Sequence, residues 1–426
     1  MLPSAVLLRN FRSFGGPTGV ELKLRPLTLL FGLNNAGKSS LVRSLPLLAD
    51  SLGSDGLDAL NLEGRLKLFD LDFDSVRWKG RAETDEHTIG LTLRWDQDQE
   101  SREIAWALRE VDDWHRVVVE SLSVRSDDGT PLLSADWQMM RGEEADHELT
   151  YDVRRGTAAT SQRERIAFRG LKPQADDAAA AEVLQKLQNR LSAFASSVLW
   201  LRSLRPSPLR FTRWRGAMRW SLEPDGRDAA IVLAGESSVQ EEVSAWYAKH
   251  LGFDLVVEES RKREVRTLLR NRDRASYDID LIDSGEGLSE CLPVLTALAM
   301  ARQHREHGGP SVVAIEEPEA HLHPDLQRAL AERACEVARE ARPCIVLETH
   351  SEIILRTLQL QMVKRLLRPE DVILYWVRQI EGGRSVADPV ELDEEGRFRG
   401  NWPPDAFLQD LELAAEVQDA RDQREA

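Results

Sequence analysis

The sequence predicts an α/β fold, a parallel-sheet core split in sequence by an inserted β-rich and helical lobe, and three observations carry the prediction. Near the start of the chain a glycine-bearing loop, Gly32 to Ser40, lies between an apolar strand and a helical pattern. From Leu281 onward, helical segments alternate with the apolar strands SVVAI, CIVLE and VILYW. Between these two regions, from about Thr88 to Phe168, apolar residues recur with a period of two, as in an antiparallel sheet with one face covered. The division that follows is a first core part at 1–50, an inserted lobe at 51–280, a second core part at 281–380, and a small C-terminal module and tail at 381–426.

Taken in order, Val6–Leu8, Val20–Leu24 and Leu27–Phe31 read as strands, with Gly15, Gly16 and Pro17 supplying a turn. Leu41, Ser44, Leu45 and Leu48 then fall at helical spacing. Ile89, Leu91 and Leu93, then Val117, Val119 and Leu122, mark the period-two region, with polar tips at 126–130 and 142–148. Ala178 to Leu201 reads as helix ending before Pro206 and Pro208, and Ser238 to Leu251 as a helix closed by Gly252. After Ala414 the chain is a short charged tail.

With 42% hydrophobic and 30% charged residues, the chain can bury a core, which excludes collagen-like, disordered and disulfide-framework classes. No apolar run approaches the roughly 18 residues of a membrane span. Arg9 and Arg12 interrupt the N-terminal apolar residues where a secretory signal would need continuity. The three cysteines, Cys291, Cys335 and Cys344, lack the spacing of a zinc or redox motif, so a cytoplasmic location with no membrane partner is expected. A net charge of −16 repels polyanions unless positive charge is concentrated locally.

Gly32-Leu33-Asn34-Asn35-Ala36-Gly37-Lys38-Ser39 fits G-x-x-x-x-G-K-S in the strand-to-helix setting the motif requires, followed by Ser40. Small residues let backbone N–H groups curl around a β-phosphate, and the helix N-terminus adds partial positive charge. Lys38 is the fixed countercharge for β- and γ-phosphates, and the Ser39 hydroxyl is placed to ligate Mg2+. ATP and Mg2+ are therefore the expected cofactors. The strand SVVAI runs directly into Glu316 and Glu317. At the carboxyl end of such a strand, Glu316 is expected to hold Mg2+ through a water and Glu317 to orient and deprotonate the attacking water. His350 ends the next apolar strand and is expected to reach the same crevice. His321 and His323 alternate like a metal pair without a third ligand, so they are assigned to a dimer-facing loop or to packing.

The order LLRNFRSF, PLTLLFGLNNAGKSS, DSGEGLSECLPVL, AIEEPEAHLHP and LETHSE resembles the ABC-type ATPases of the RecF, SMC and OLD kind. It is similar in particular to the small AAA-type proteins without long coiled coils found in bacterial anti-phage defence operons. The resemblance implies a P-loop ABC-type core in which Gly285, Gly287 and Ser289 form a signature loop that touches ATP held by an opposite protomer. It also implies an isologous homodimer, or a higher homo-oligomer, closed over two nucleotides. Three departures stand out: Glu290 replaces a common glutamine, Glu316 replaces a common aspartate, and no glutamine occurs between residues 50 and 96 to serve as a Q-loop.

Two arginine-rich stretches bear on partners. Arg202, Arg205, Arg210, Arg213 and Arg215, with Trp214 and Trp220, and then Arg261, Arg263 and Arg266, could grip a phosphate backbone. They could equally pair with this acidic chain's own carboxylates or with an acidic partner. The acidic run Glu391 to Glu395 reads as a solvated turn rather than a nuclease centre, so an effector, nuclease or toxin, is expected on a separate polypeptide. The expected function is a hydrolysing ATPase that senses or regulates such an effector; the alternative is a RecF-like clamp acting directly on DNA in repair or recombination.

Overall fold

A computed structural model describes residues 2–403 except 17, 81–87, 97–101, 139–147, 159, 175–177, 214–219, 261–262, 273–277 and 304–308, together with 406, 407 and 416. The tip expected at 142–147, and the tail apart from residue 416, lie outside the described residues. In chain order the strands are β1 (Ala5–Arg9), β2 (Val20–Lys23), β3 (Leu27–Gly32), β4 (Ile89–Arg94), β5 (Glu103–Val111), β6 (Arg116–Arg125), β7 (Pro131–Trp137), β8 (Glu148–Arg155), β9 (Gln162–Arg169) and β10 (Lys172–Gln174). They continue with β11 (Val198–Leu201), β12 (Thr212–Arg213), β13 (Phe253–Glu259), β14 (Glu264–Asn271), β15 (Asp278–Asp280), β16 (Val312–Glu316), β17 (Cys344–Glu348), β18 (Val372–Gln379), β19 (Ser385–Leu392) and β20 (Phe398–Arg399).

The central sheet runs β11-β16-β17-β3-β18-β19-β20. Its first five strands are parallel, and β19 and β20 add antiparallel at one edge. Strands β3, β16 and β17 are buried at every residue, as expected of parallel strands covered on both faces. Alternate side chains serve two cores. Leu30, Val312, Ala314 and Val346 join the P-loop helix, Lys38–Gly53, and the antiparallel sheet on one face. Leu29, Phe31, Val313, Ile315 and Leu347 pack on the other face against helices Ser237–Leu251, Glu286–Arg302, Pro324–Glu340 and Glu352–Val363.

The antiparallel sheet contains β10-β9-β8-β7-β6-β5-β4-β1-β2. Two features of the sequence-based division change. β1 and β2, expected in the ATPase core, pair with β4 and with each other in this second sheet, in keeping with their part-exposed alternation. The segment Val198–Leu201, expected as the end of a helix, is instead the parallel edge strand β11 beside β16. Four consecutive buried apolar residues have no period that distinguishes strand from helix, and the pairing with β16 decides it. The preceding helix stops at Ser197.

The two sheets are tied through the P-loop helix. The β9–β10 turn docks on that helix, with Leu171 N donating to the Ser51 carbonyl oxygen at 3.1 Å and the Trp106 indole donating to the Leu171 carbonyl at 3.0 Å. Gly170 holds a left-handed φ of +55°, and a Cβ there would lie 1.8 Å from the Ser51 carbonyl oxygen. Both features need glycine. Gly170→Ala should cost about 1–3 kcal/mol of stability, read as a lower denaturant midpoint with unchanged slope.

Candidate nucleotide site

Strand β3 delivers the chain into the loop through Gly32, whose φ of +145° and 2.0 Å approach of a virtual Cβ to the Val377 carbonyl oxygen admit no side chain. Asn35 at φ +62° and Gly37 at φ +104° turn the loop through left-handed conformations, which aim successive N–H groups inward as an anion nest. Gln379 supports the turn by donating its Nε2 to the Asn35 carbonyl at 3.1 Å. Lys38 opens the helix and is buried, its ammonium donating to the carbonyls of Gly32 at 3.0 Å and Leu33 at 2.8 Å. Burial holds its pKa below the usual lysine range, against the opposing pull of Glu348, Glu317 and Glu319.

These residues line a cleft of about 920 Å3. Asn34, Asn35, Ala36, Gly37, Lys38, Ser39 and Ser40 form its floor; Glu317, Glu348 and His350 come from the neighbouring strand ends; Arg12, Ser13 and the stretch Ser75 to Gly80 close other walls. The Ser75–Gly80 wall lies in the sequence interval where a Q-loop was sought, and it offers Arg77, Trp78 and Lys79 instead of a glutamine.

Strand register explains the convergence. Glu316 pairs with Glu348 across β16 and β17, and Glu348 pairs with Leu30, two residues before Gly32. The two in-register carboxylates have different fates. Glu316 is 1% exposed and takes both nitrogens of an Arg43 fork, Nε at 2.8 Å and Nη2 at 2.7 Å, plus the Trp200 indole at 3.0 Å. It is absent from the cleft lining, where the sequence leads one to expect a carboxylate holding Mg2+ through a water, and its charge is paired with Arg43. Glu348, missed in the sequence, accepts from the Ser39 hydroxyl at 2.7 Å, while its Oε2 is buried and has no donor. Burial, then the neighbouring Glu316, push the Glu348 carboxyl up to about 7. The acid before Thr349-His350, at the end of an apolar strand, was the available signal.

Glu317 follows with a left-handed φ of +45°. Its N–H donates to the Glu348 carbonyl at 2.8 Å and its side chain faces the cleft. The backbone there is clamped by Arg205, which donates to the carbonyls of Glu316 at 2.9 Å and Glu317 at 2.8 Å. His350 is exposed and lines the same cleft, and its N–H donates to Glu319 Oε1 at 2.7 Å. Partial burial, then Lys38, lower the imidazole pKa, which favours the neutral ring. Glu319 also accepts from the Thr349 hydroxyl at 2.7 Å, so the strand end carrying Glu317 and the one carrying His350 share a carboxylate.

The residues expected to form a signature loop sit elsewhere. Gly285 is the N-cap of helix Glu286–Arg302, and Gly287 lets the His321 carbonyl approach to 2.6 Å of where a Cβ would be. Ser289 is buried with its hydroxyl donating to the Glu286 carbonyl at 2.9 Å, so it does not present that hydroxyl outward. Ser284, immediately before the cap and half-buried, is the serine at the mouth of this helix, and its hydroxyl likewise donates to a carbonyl three residues back, that of Leu281, at 2.6 Å. Among the described residues the signature helix supplies no wall of the cleft. His321 lies 3.7 Å from Glu286, and His323 caps helix Pro324–Glu340 through Nδ1.

Most of the described arginines of the two basic stretches are engaged internally. Arg205 is buried at 3% exposure, which corrects its assignment as an outward contact. Arg202 meets Asp225 at 3.6 Å, Arg210 forks onto Asp283 at 2.7 and 2.8 Å, and Arg266 reaches Asp280 at 2.7 Å. Arg213 and Arg263 are exposed, while Arg215 and Arg261 lie outside the described residues.

The donor set fits a magnesium nucleotide: an anion nest, a lysine, a helix-start serine, and a buried carboxylate with an unfilled oxygen. Among the described residues no group of three or more His, Cys, Asp or Glu could form an all-protein metal cage, and Mg2+ held largely by phosphates needs none.

Fold and site together define a P-loop ATPase of the ABC or SMC-head type. Residues 27–356 match the family described as "AAA domain, putative AbiEii toxin, Type IV TA system", and the chain belongs to that family. No curated protein matches the sequence. Among solved structures, the SMC head bound to the C-terminal winged-helix domain of ScpA superposes with a TM-score of 0.50 at 12% identity, over 92% of this chain and 99% of that one. The SMC head of Thermotoga maritima gives 0.45 at 13% identity over 92% and 100% of the two chains. The Pyrococcus furiosus Smc head with an extended coiled coil gives 0.46 at 10% over 99% of each.

Removing Arg43 isolates a buried carboxylate. Arg43→Met should destabilise the protein by roughly 3 kcal/mol, and adding Glu316→Gln should recover much of the loss in chemical denaturation.

Proposed function

We propose that the protein hydrolyses ATP between two copies of itself, and that the nucleotide-dependent assembly governs a separate effector. The observation that supports hydrolysis most directly is the meeting of Lys38, Ser39, Glu317 and His350 around one cleft. Lys38 supplies countercharge to the β- and γ-phosphates, and the loop N–H groups orient them. Ser39 would hold Mg2+ from the protein side, where the ion would supply further countercharge to the phosphates. Glu317 is the base that orients and deprotonates water, and neutral His350 donates or accepts a hydrogen bond at the γ-phosphate or at that water.

Assembly follows from the position of the signature loop. The 17-residue helix capped by Gly285 has a positive N-terminus with no share in its own chain's cleft, and a twofold partner would bring a cleft to it. In this reading Ser284, Gly285 and Gly287 do the touching. The effector role rests on the family's toxin–antitoxin description and on the internal pairing of Arg202, Arg205, Arg210 and Arg266, which leaves less free positive charge for a nucleic-acid grip than a DNA clamp would need. A cytoplasmic setting goes with it, and among the described residues no helix is long and apolar enough to cross a membrane.

Lys38→Ala should weaken ATP binding at least ~100-fold in a fluorescence titration, as expected for loss of the central countercharge. Glu317→Gln should keep binding and lower phosphate release by ~100-fold or more. Its mass in light scattering should double on adding Mg-ATP. If Glu317→Gln binds ATP and stays at one chain mass, the two-chain reading falls while nucleotide binding stands.

A further inference from the structure

We infer that Glu348, rather than Glu316, is the carboxylate through which this chain holds the metal of a bound magnesium nucleotide. The inference rests on the ATPase reading and concerns which residue of the cleft does this work.

Ser39 and Arg43 are four residues apart and so project from one face of the P-loop helix, one turn above the other. Glu348 and Glu316 are partners across two adjacent parallel strands beneath that face. The strand next to β3 therefore places its acid against the helix's first turn, and the strand beyond places its acid against the second. Glu348 thus meets the Ser39 hydroxyl, and Glu316 meets Arg43. Both Glu316 oxygens are taken by donors, and the indole of Trp200 adds a third bond. Turning Glu316 toward the phosphates would break these bonds and strand a guanidinium.

Glu348 has the opposite status. It is 3% exposed, and one oxygen has no donor at all. A buried acceptor left empty carries a desolvation cost that a hydrogen-bonded one does not. Cation coordination would remove that cost, whereas Glu316 has no such deficit. Glu319 also carries an empty oxygen, yet its other oxygen takes two donors and the residue does not line the cleft.

The test is a titration of the full chain with a fluorescent ATP analogue, first in EDTA and then with rising Mg2+, repeated with Mn2+ and read by electron paramagnetic resonance. For the unchanged protein, Mg2+ should tighten nucleotide binding. Glu348→Gln keeps the acceptor for Ser39 and removes the charge, so its binding in EDTA should equal or exceed that of the unchanged protein. The metal concentration for half effect should rise 10-fold or more and the Mn2+ signal should lose its protein-bound component. Glu348→Asp should restore part of the shift. Glu316→Gln should move the half-effect by less than about twofold.

An unchanged half-effect in folded Glu348→Gln overturns the assignment, as does a large shift in Glu316→Gln with none in Glu348→Gln. If Glu316→Gln does not fold, the comparison of Gln and Asp at position 348 decides alone. If the unchanged protein binds no nucleotide at any Mg2+ concentration, the ATPase reading itself falls and takes this assignment with it.

Discussion

Backbone hydrogen bonding among β3, β17 and β16 fixes where each strand ends, and the chemistry of the cleft depends on those three end points. Glu348 stands level with Glu316 on one side and with Leu30 on the other, so Glu317 and His350 follow directly on neighbouring strand ends, beside a β3 that runs to Gly32. A slip by one residue on β17 would turn Glu348 to the opposite face, among the helices, and bring Leu347 under Ser39. The burial of every residue in these strands forbids that slip, because both faces are filled with alternating apolar side chains of defined size.

The same geometry forces a charge problem that the structure resolves in parts. Glu316, Glu317, Glu319 and Glu348 crowd one end of the sheet, where like charges repel one another strongly in a low dielectric. Arg43 neutralises Glu316 directly. Glu319 takes the Thr349 hydroxyl and the His350 N–H on one oxygen, and its carboxyl pKa is raised by burial. Glu317 faces the open cleft, where water screens it. Glu348 lines the cleft with one oxygen unpaired, with Lys38 nearby but committed to loop carbonyls. A nucleotide that drew Lys38 onto its phosphates would change the field at Glu348, so phosphate binding and the state of this acid are coupled by Coulomb interaction across a few residues.

Sequence reading reached the P-loop, the two acids after SVVAI and the alternating antiparallel strands because each leaves a local trace: fixed spacing, a buried apolar run, or a period of two. It failed where the deciding contact is distant. Val198–Leu201 is strand because β16 lies 114 residues away, and four apolar residues contain no hint of that partner. Which of two glutamates turns to the cleft depends on Ser39 and Arg43, on the far side of the chain from both. Arg205 reads as one more surface cation, yet it is buried against carbonyls at the end of β16.

Placing β1 and β2 in the antiparallel sheet has a mechanical result. The loop after β1 brings Arg12 and Ser13 to the cleft, and the stretch Ser75 to Gly80 is held to it by Trp78 N donating to the Asn10 carbonyl at 2.9 Å. Ser13 in turn accepts from Ser385 N at 2.7 Å through its carbonyl, joining this wall to β19 at the far edge of the central sheet. A nucleotide seated on the P-loop would therefore touch residues carried by both sheets at once. The cleft is therefore lined by the strand ends of the central sheet on one side and by Arg12, Arg77 and Lys79 of this wall on the other.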